Sequence, residues 1–396
     1  MTTVRKATLS ADEARQLHHE ALVIDSQQPP ATYGFLFTDN MRDAVQEMVG
    51  HGLTRDEIAD RMASMAASEI RVSEDARRQY LDLWHRSGVT VASATYGGPG
   101  SFVEAFEQSV TRLAEARGIV DSLEGELVLV RNADDIERAH RTGKHGLILD
   151  FQDTIPIGTD IGRIDLFHHL GLRVVQLTYN LRNLVGDGCT EIHKSGLTYF
   201  GREVVQRLNE LKMIVDVSHS SEQVGWDALD VSSSPVIVTH SSSAAVCYHD
   251  RAKGDDLAKA IADRGGFFGV VVIPGFLQES TEATLDDFAN HVGHLVDVMG
   301  IDHVGIGNDK ARQGPSTESL VEYPPEVIDS RPGSFDWSGF RPDEHRMTPE
   351  HHIVGYDDFG DWPNLTIKLA ERGFNEDELR KLLGLNYLRV FREIVG

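Results

Sequence analysis

Cysteine is nearly missing from this chain: Cys189 and Cys247 are its two copies in 396 residues. That excludes a disulfide framework and leads us to expect reduced thiols in a cytoplasmic protein. No run of 18 apolar residues occurs, and the opening MTTVRKATLSADEARQLHHE contains no hydrophobic segment, so no membrane span or secretion signal is expected. Basic residues are scarce too. The 38 Lys and Arg face 62 Asp and Glu, for a net charge of −24. Such a field repels nucleic acid and anionic membrane surfaces and says little about a small substrate. The glycine-bearing loop NLVGDGCTE lacks phosphate-binding spacing, so no nucleotide role is read from it.

What the chain does contain is a series of apolar runs of strand length that end in polar residues. The stretch from Met213 to Ser241 reads MIVDVSH, a helical segment, then PVIVTHS. This is the pattern of a parallel β-α-β unit, and it brings His219 and His240 out at the same end of the sheet. Similar runs are ALVIDSQ, GVTVASATYG, HGLILDFQD, LRVVQLTYN, GGFFGVVVIPGF and HVGIGND. Eight such runs in βα units predict a (β/α)8 barrel, built as one domain over residues 1–396. Residues from about 40 to 85 read as a helical insertion after the first strand, with Met62 and Met65 filling a core. Residues from about 311 to 355 carry Pro, Gly and charge without periodicity and are expected to pass over the barrel mouth or form a lid. Ser10, Asn132 and Asn375 are expected helix caps, the last with Glu378 at capping-box spacing.

A barrel gathers Asp25, Gln152, Tyr179, His219, His240 and Asp309 at the C-terminal strand ends, where barrel active sites are built. Zinc accepts imidazole nitrogen and carboxylate oxygen. His219 and His240 are two candidate ligands, and Asp25 or Asp309 could supply a third; the amide oxygen of Gln152 would be a poorer one. Asp309 could instead act as a base or anchor a substrate ammonium group, or be a buried carboxylate bonded to backbone amides. Tyr179 could donate to a developing oxyanion, and Arg251 could pair with a carboxylate through two hydrogen bonds or form a salt bridge with Asp250 or Asp255. Gln152, Tyr179, Asn180 and Arg251 are the candidate substrate contacts. His249 reads as a supporting or structural residue.

The runs LTYNLRNLVGDGCTE, GLTYFGREVVQRLNELKMIVDVSHSS, PVIVTHSSSAAVCYHDRAK, DDLAKAIADRGGFFGVV, VGIGND and NEDELRKLLGLNYLRVFREIV resemble the membrane (renal-type) dipeptidases of the amidohydrolase superfamily. The resemblance extends from Leu22 onward, excluding the helical insertion and the mouth excursion. It implies a metal-dependent hydrolase barrel that cleaves dipeptides, with His219 and His240 on the second metal, Arg251 on the substrate carboxylate, Asp309 beside the reacting centre, and a homodimeric assembly. The departures carry information as well. Binuclear relatives have His-x-Asp after the first strand where this chain has Gln27 and Pro29. Their bridging glutamate corresponds to Gln152, with Asp150 close by, and a histidine corresponds to Tyr179. Proline has no donor atom, and an uncharged bridge holds two cations poorly, so at most one zinc is expected. The sequence therefore leads to a dipeptidase-like hydrolase acting on a small amide or amino-acid conjugate with a carboxylate. The alternatives are a metal-independent lyase, isomerase or condensing enzyme, or a non-catalytic dipeptide-binding barrel.

Overall fold

A computed structural model describes residues 9–28, 36–53, 55–98, 100–280, 282–309, 339–346 and 352–396. Its main sheet runs β1 (Ile24–Gln28), β2 (Val91–Thr95), β4 (His145–Phe151), β5 (Leu172–Gln176), β6 (Ile214–Asp216), β7 (Val236–Ser241), β8 (Phe267–Val270) and β10 (Val304–Ile306), and every pairing along it is parallel. Short β3 (Leu127–Leu129) pairs with the first residues of β4, while β5 takes the later ones. β9 (Glu282–Thr284) and β11 (His352–Val354) form a separate pair. The eight expected strands are therefore present as a nearly closed barrel surrounded by helices.

Closure between β10 and β1 is made without a full ladder. Asp309 N–H donates to Gln27 O at 2.8 Å, and Ser26 Oγ donates to Thr239 O and Ile306 O at 2.5 and 3.0 Å. A Cβ on Gly269 or Gly307 would lie 2.0 Å from Thr239 O, so glycine is required at both positions for the barrel wall to approach this closely.

Side-chain alternation divides the barrel interior into layers. At the base, Ile24, Val91, Ile148, Val174, Ile214, Ile237 and Phe267 pack with Tyr387 and Phe391 of the C-terminal helix Asn386–Val395, which plugs that end. Two residues further along each strand the interior turns polar, with Ser26, Ser93, Asp150, Gln176, Asp216 and Thr239 all buried. This change of polarity leads from the sealed base to the end that carries His219 and His240.

Among the described residues, three helices, Asp39–Gly50, Arg55–Val72 and Glu74–Ser87, lie between β1 and β2, and Met41, Met48 and Met62 are buried among them. The expected caps form. Ser10 Oγ accepts from Glu13 N–H, Asn132 Oδ1 from Asp135 N–H, and Asn375 Oδ1 from Glu378 N–H. Of the expected mouth excursion, residues 311–338 and 347–351 lie outside the described residues. None of the described helices is long and apolar enough to cross a membrane. Both cysteines are free and buried.

His18 ties the first helix, Ala11–Glu20, to the barrel. Its Nδ1 meets Thr366 Oγ1 at 2.8 Å and its Nε2 meets Ser87 O at 2.7 Å. Burial pushes its pKa down to about 3. An unfolded chain takes up this proton below pH 6.5 while the folded chain does not, so the contribution of His18 to stability is complete above that pH and is lost on acidification. We predict that the stability gap between wild type and His18→Gln narrows by roughly 3 kcal/mol between pH 7 and pH 4, measured by urea unfolding. A pH-independent gap would contradict this account.

Candidate active site

The hydrogen-bonded ladder of β6 stops at Asp216, three residues short of His219. The Asp216 carboxylate causes the break by bending the chain around itself. Its Oδ1 accepts from Ser218 N–H at 2.9 Å, from Ser218 Oγ at 2.5 Å and from Thr239 N–H at 3.1 Å, and its Oδ2 accepts from Thr239 Oγ1 at 2.6 Å. Ser218 Oγ in turn accepts from His240 N–H at 3.1 Å. One buried carboxylate thus fixes both strand tips that carry histidine, and its desolvation raises its pKa.

The same network sets the histidine tautomers. Thr239 Oγ1 gives its proton to Asp216, so it accepts from His240 Nδ1–H at 2.8 Å. Asn180 Oδ1 accepts from Cys189 Sγ at 3.3 Å and from His219 Nδ1–H at 2.6 Å. Both imidazoles are left with Nε2 as the lone-pair nitrogen, and these two atoms face each other at 2.9 Å. Two lone pairs repel at that distance unless a cation or a proton lies between them. His240 Nε2 is also 3.7 Å from Asp309 Oδ2, and one donor atom from each of His219, His240 and Asp309 falls within 4.8 Å of the others. Among the described residues this is the group able to hold a metal, and two neutral imidazoles with one carboxylate match the donor set of zinc.

Asp309 sits just past β10 with φ +54°, the left-handed region, which a non-glycine residue occupies at some cost. Burial pushes its carboxyl up to about 7, opposed by Arg251 and aided by Asp25. Tyr179 stacks on His219, with ring centroids 4.1 Å apart and planes 20° from parallel. Its backbone N–H is held by Asp153 Oδ2 at 2.8 Å, and burial raises its phenol pKa. Gln152, half-buried at the end of β4, has its backbone N–H on Thr95 Oγ1 and its carbonyl on Gln176 Nε2.

Three sequence-derived roles change in the structure. Asp25, a candidate ligand, is turned away from the histidines; its carboxylate accepts from Asn308 N–H at 2.9 Å, Asn308 Nδ2 and Trp362 Nε1 at 2.9 Å. Asn180, expected to touch substrate, is fully buried behind His219 and orients it. Arg251 is also fully buried; its Nη1 and Nη2 donate to Ser218 O and His240 O and so brace the strand tips, while its Nε has no partner among the described residues and its charge acts on Asp309 and Tyr179. His249 holds the turn at Arg251: its Nδ1 accepts from Arg251 N–H at 2.9 Å and its Nε2 lies 2.9 Å from His345 O.

Lys253 went unnoticed in the sequence. It is buried, its Nζ donates to Ser220 O at 2.5 Å, and burial with Arg251 nearby lowers its pKa to about 8. Burial, followed by these two cations, holds His240 well below the usual imidazole range; His219 is lowered likewise, with His240 itself contributing.

The membrane dipeptidase model, peptidase family M19, matches residues 11–322 and 348–395. The chain belongs to this family. Dipeptidase tcpJ of Claviceps purpurea is 30% identical over 280 residues, covering 70% of this chain and 57% of the relative. Dipeptidase 3 of Mus musculus is 30% identical over 275 residues, covering 68% and 48%. The matched region thus spans about half of these curated relatives. Among solved structures, an amidohydrolase from Pseudomonas aeruginosa superposes with TM-score 0.71 at 26% identity, over 98% of this chain and 100% of the other. A metallopeptidase from Rhodobacter sphaeroides, bound to a phosphinate mimic of L-Ala-D-Ala, shares the fold with TM-score 0.70 at 19% identity, over 94% and 99%.

If Asp216 and Thr239 set the His240 tautomer for this M19 chain, Thr239→Val should weaken zinc binding by about 10- to 100-fold, read by chelator competition, with the far-ultraviolet circular dichroism of wild type. Unchanged zinc affinity would show the hydroxyl to be dispensable.

Proposed function

We propose that the chain is a metal-dependent, dipeptidase-type hydrolase cleaving the amide of a dipeptide or similar amino-acid conjugate that bears a carboxylate. It would use one ion, with zinc favoured, between His219, His240 and Asp309. The contact that carries this reading is the 2.9 Å approach of two imidazole lone pairs beside a carboxylate. The family match and the names of the relatives support the reaction class. The single ion is supported by what replaces the other ligands. Gln27 turns its Nε2 to Gln28 O, Gln152 is a neutral amide, and Pro29, outside the described residues, has no donor.

Zinc in this position would polarise the scissile carbonyl and lower the pKa of an attacking water towards 7. Asp309 is placed to take a proton from that water and return it to the leaving amine. Tyr179 keeps its phenolic proton and can donate it in a hydrogen bond to the oxyanion. Gln152 can contact the substrate beside it. Arg251 and Lys253 attract the substrate carboxylate through their field, with Arg251 Nη1 and Nη2 and Lys253 Nζ bonded to backbone carbonyls. We also infer a cytoplasmic setting, supported by the free thiols, and a homodimer, supported by the family resemblance.

A second reading draws on the same contact, because a shared proton would also relieve it. His219 and His240 would then be acid and base of a metal-independent reaction. Chelation separates the two readings. Hydrolysis of a dipeptide panel should vanish with EDTA and return with zinc, and Asp309→Asn should lower kcat by about 100-fold or more. Activity that survives complete metal removal would contradict the hydrolase assignment. Arg251→Ala should weaken carboxylate-bearing and neutral ligands alike, since the side chain acts through the strand tips; a loss confined to carboxylates would mean direct contact.

A further inference from the structure

Beneath the histidine centre, the polar layer of the barrel contains a carboxyl that the reaction does not use. Asp150, on β4, is 1% exposed. Ser93 Oγ donates to its Oδ2 at 2.7 Å and the side chains of Thr95 and Gln27 also act on the carboxyl, yet no hydrogen bond of ordinary geometry reaches Oδ1. The neighbouring strand β5 contributes Gln176, which is fully buried; its Nε2 is spent on the carbonyls of Gln152 and Thr178, and its Oε1 also lacks a partner. The hydroxyl of Tyr387, which rises from the C-terminal plug and interacts with both Asp150 and Asp216, is a third buried orphan. Leaving such atoms unmatched destabilises the fold, so orphans on adjacent strands point to a missing occupant.

The donor set indicates what that occupant is. Carboxyl, amide and phenol oxygens are hard ligands that suit alkali and alkaline-earth ions and not zinc. The charge available is that of one carboxylate. Asp216 in the same layer already has both its oxygens occupied by Ser218 and Thr239. Arg251 and Lys253 both have Asp216, and not Asp150, among their leading electrostatic partners. A bridging water would satisfy the two oxygens and leave the buried negative charge uncompensated.

We propose that the barrel interior below the histidine centre holds a monovalent cation, sodium or potassium, on Asp150 Oδ1 and Gln176 Oε1. Its role is to neutralise the interior in a chain that has Gln27, Pro29 and Gln152 in place of the charged and imidazole ligands of binuclear relatives. The competitor for this place is a proton: burial, with Asp216 adding to it, pushes the Asp150 carboxyl up to about 8 when no ion is present. The proposal does not depend on hydrolysis, so it can fail or hold independently of the assignment above.

The test uses the zinc-loaded protein in choline, sodium and potassium chloride at equal ionic strength. Sodium or potassium should raise the melting temperature over choline in a saturable way, and Asp150→Asn should abolish that response; where it folds poorly, Gln176→Leu serves instead. A thallium(I) soak should give an anomalous peak bonded to Asp150 and Gln176. Equal melting temperatures in all three salts, a response that persists in the variants, or an ordered water with no thallium peak would each overturn the proposal.

Discussion

The histidine-bearing end of this barrel depends on one buried carboxylate. Asp216 accepts four hydrogen bonds from two adjacent strands. Through Ser218 it sets where His240 leaves the sheet, and through Thr239 it sets which imidazole nitrogen carries the proton. Desolvating that charge is costly, and saturation of its oxygens offsets the cost. The return is precision, because ligands held by a polar network on rigid strands keep their geometry better than ligands on loops.

Charge around the histidines is balanced between opposing groups. Arg251 and Lys253 lie behind the strand tips, with their donors on Ser218 O, His240 O and Ser220 O. Burial, with these two cations adding to it, keeps both imidazoles neutral, which is the form that binds metal, while the Asp309 carboxylate lies 3.7 Å from His240 Nε2. The left-handed backbone at Asp309 aims this carboxylate at His240, and the bond from its N–H to Gln27 O joins the site to the seam where the barrel closes. Site geometry and barrel closure are therefore a single problem for the fold.

Much of this was legible in the sequence, for a physical reason. Parallel strands covered on both faces must be continuously apolar, so eight runs such as VIVTHS and LILDF stand out, and the polar residue ending each run falls at the functional rim. His219, His240 and Asp309 were found in this way. Asp216 and Thr239 were not, because one polar residue inside a strand gives no sign of whether it faces a helix or the barrel interior. Asp25 shows the converse: it ends a strand-like run but points outward to Trp362. The burial of Arg251 and the role of Asn180 depend on contacts between segments distant in the chain, which no local pattern encodes.

The central claim is that the two facing imidazoles and Asp309 hold one divalent ion. Anomalous diffraction at the zinc edge, on crystals of untagged protein, tests it most directly. The account predicts one peak per chain, bonded to His219 Nε2, His240 Nε2 and the Asp309 carboxylate. Two adjacent peaks, or a zinc-saturated crystal with no peak between the imidazoles, would contradict it.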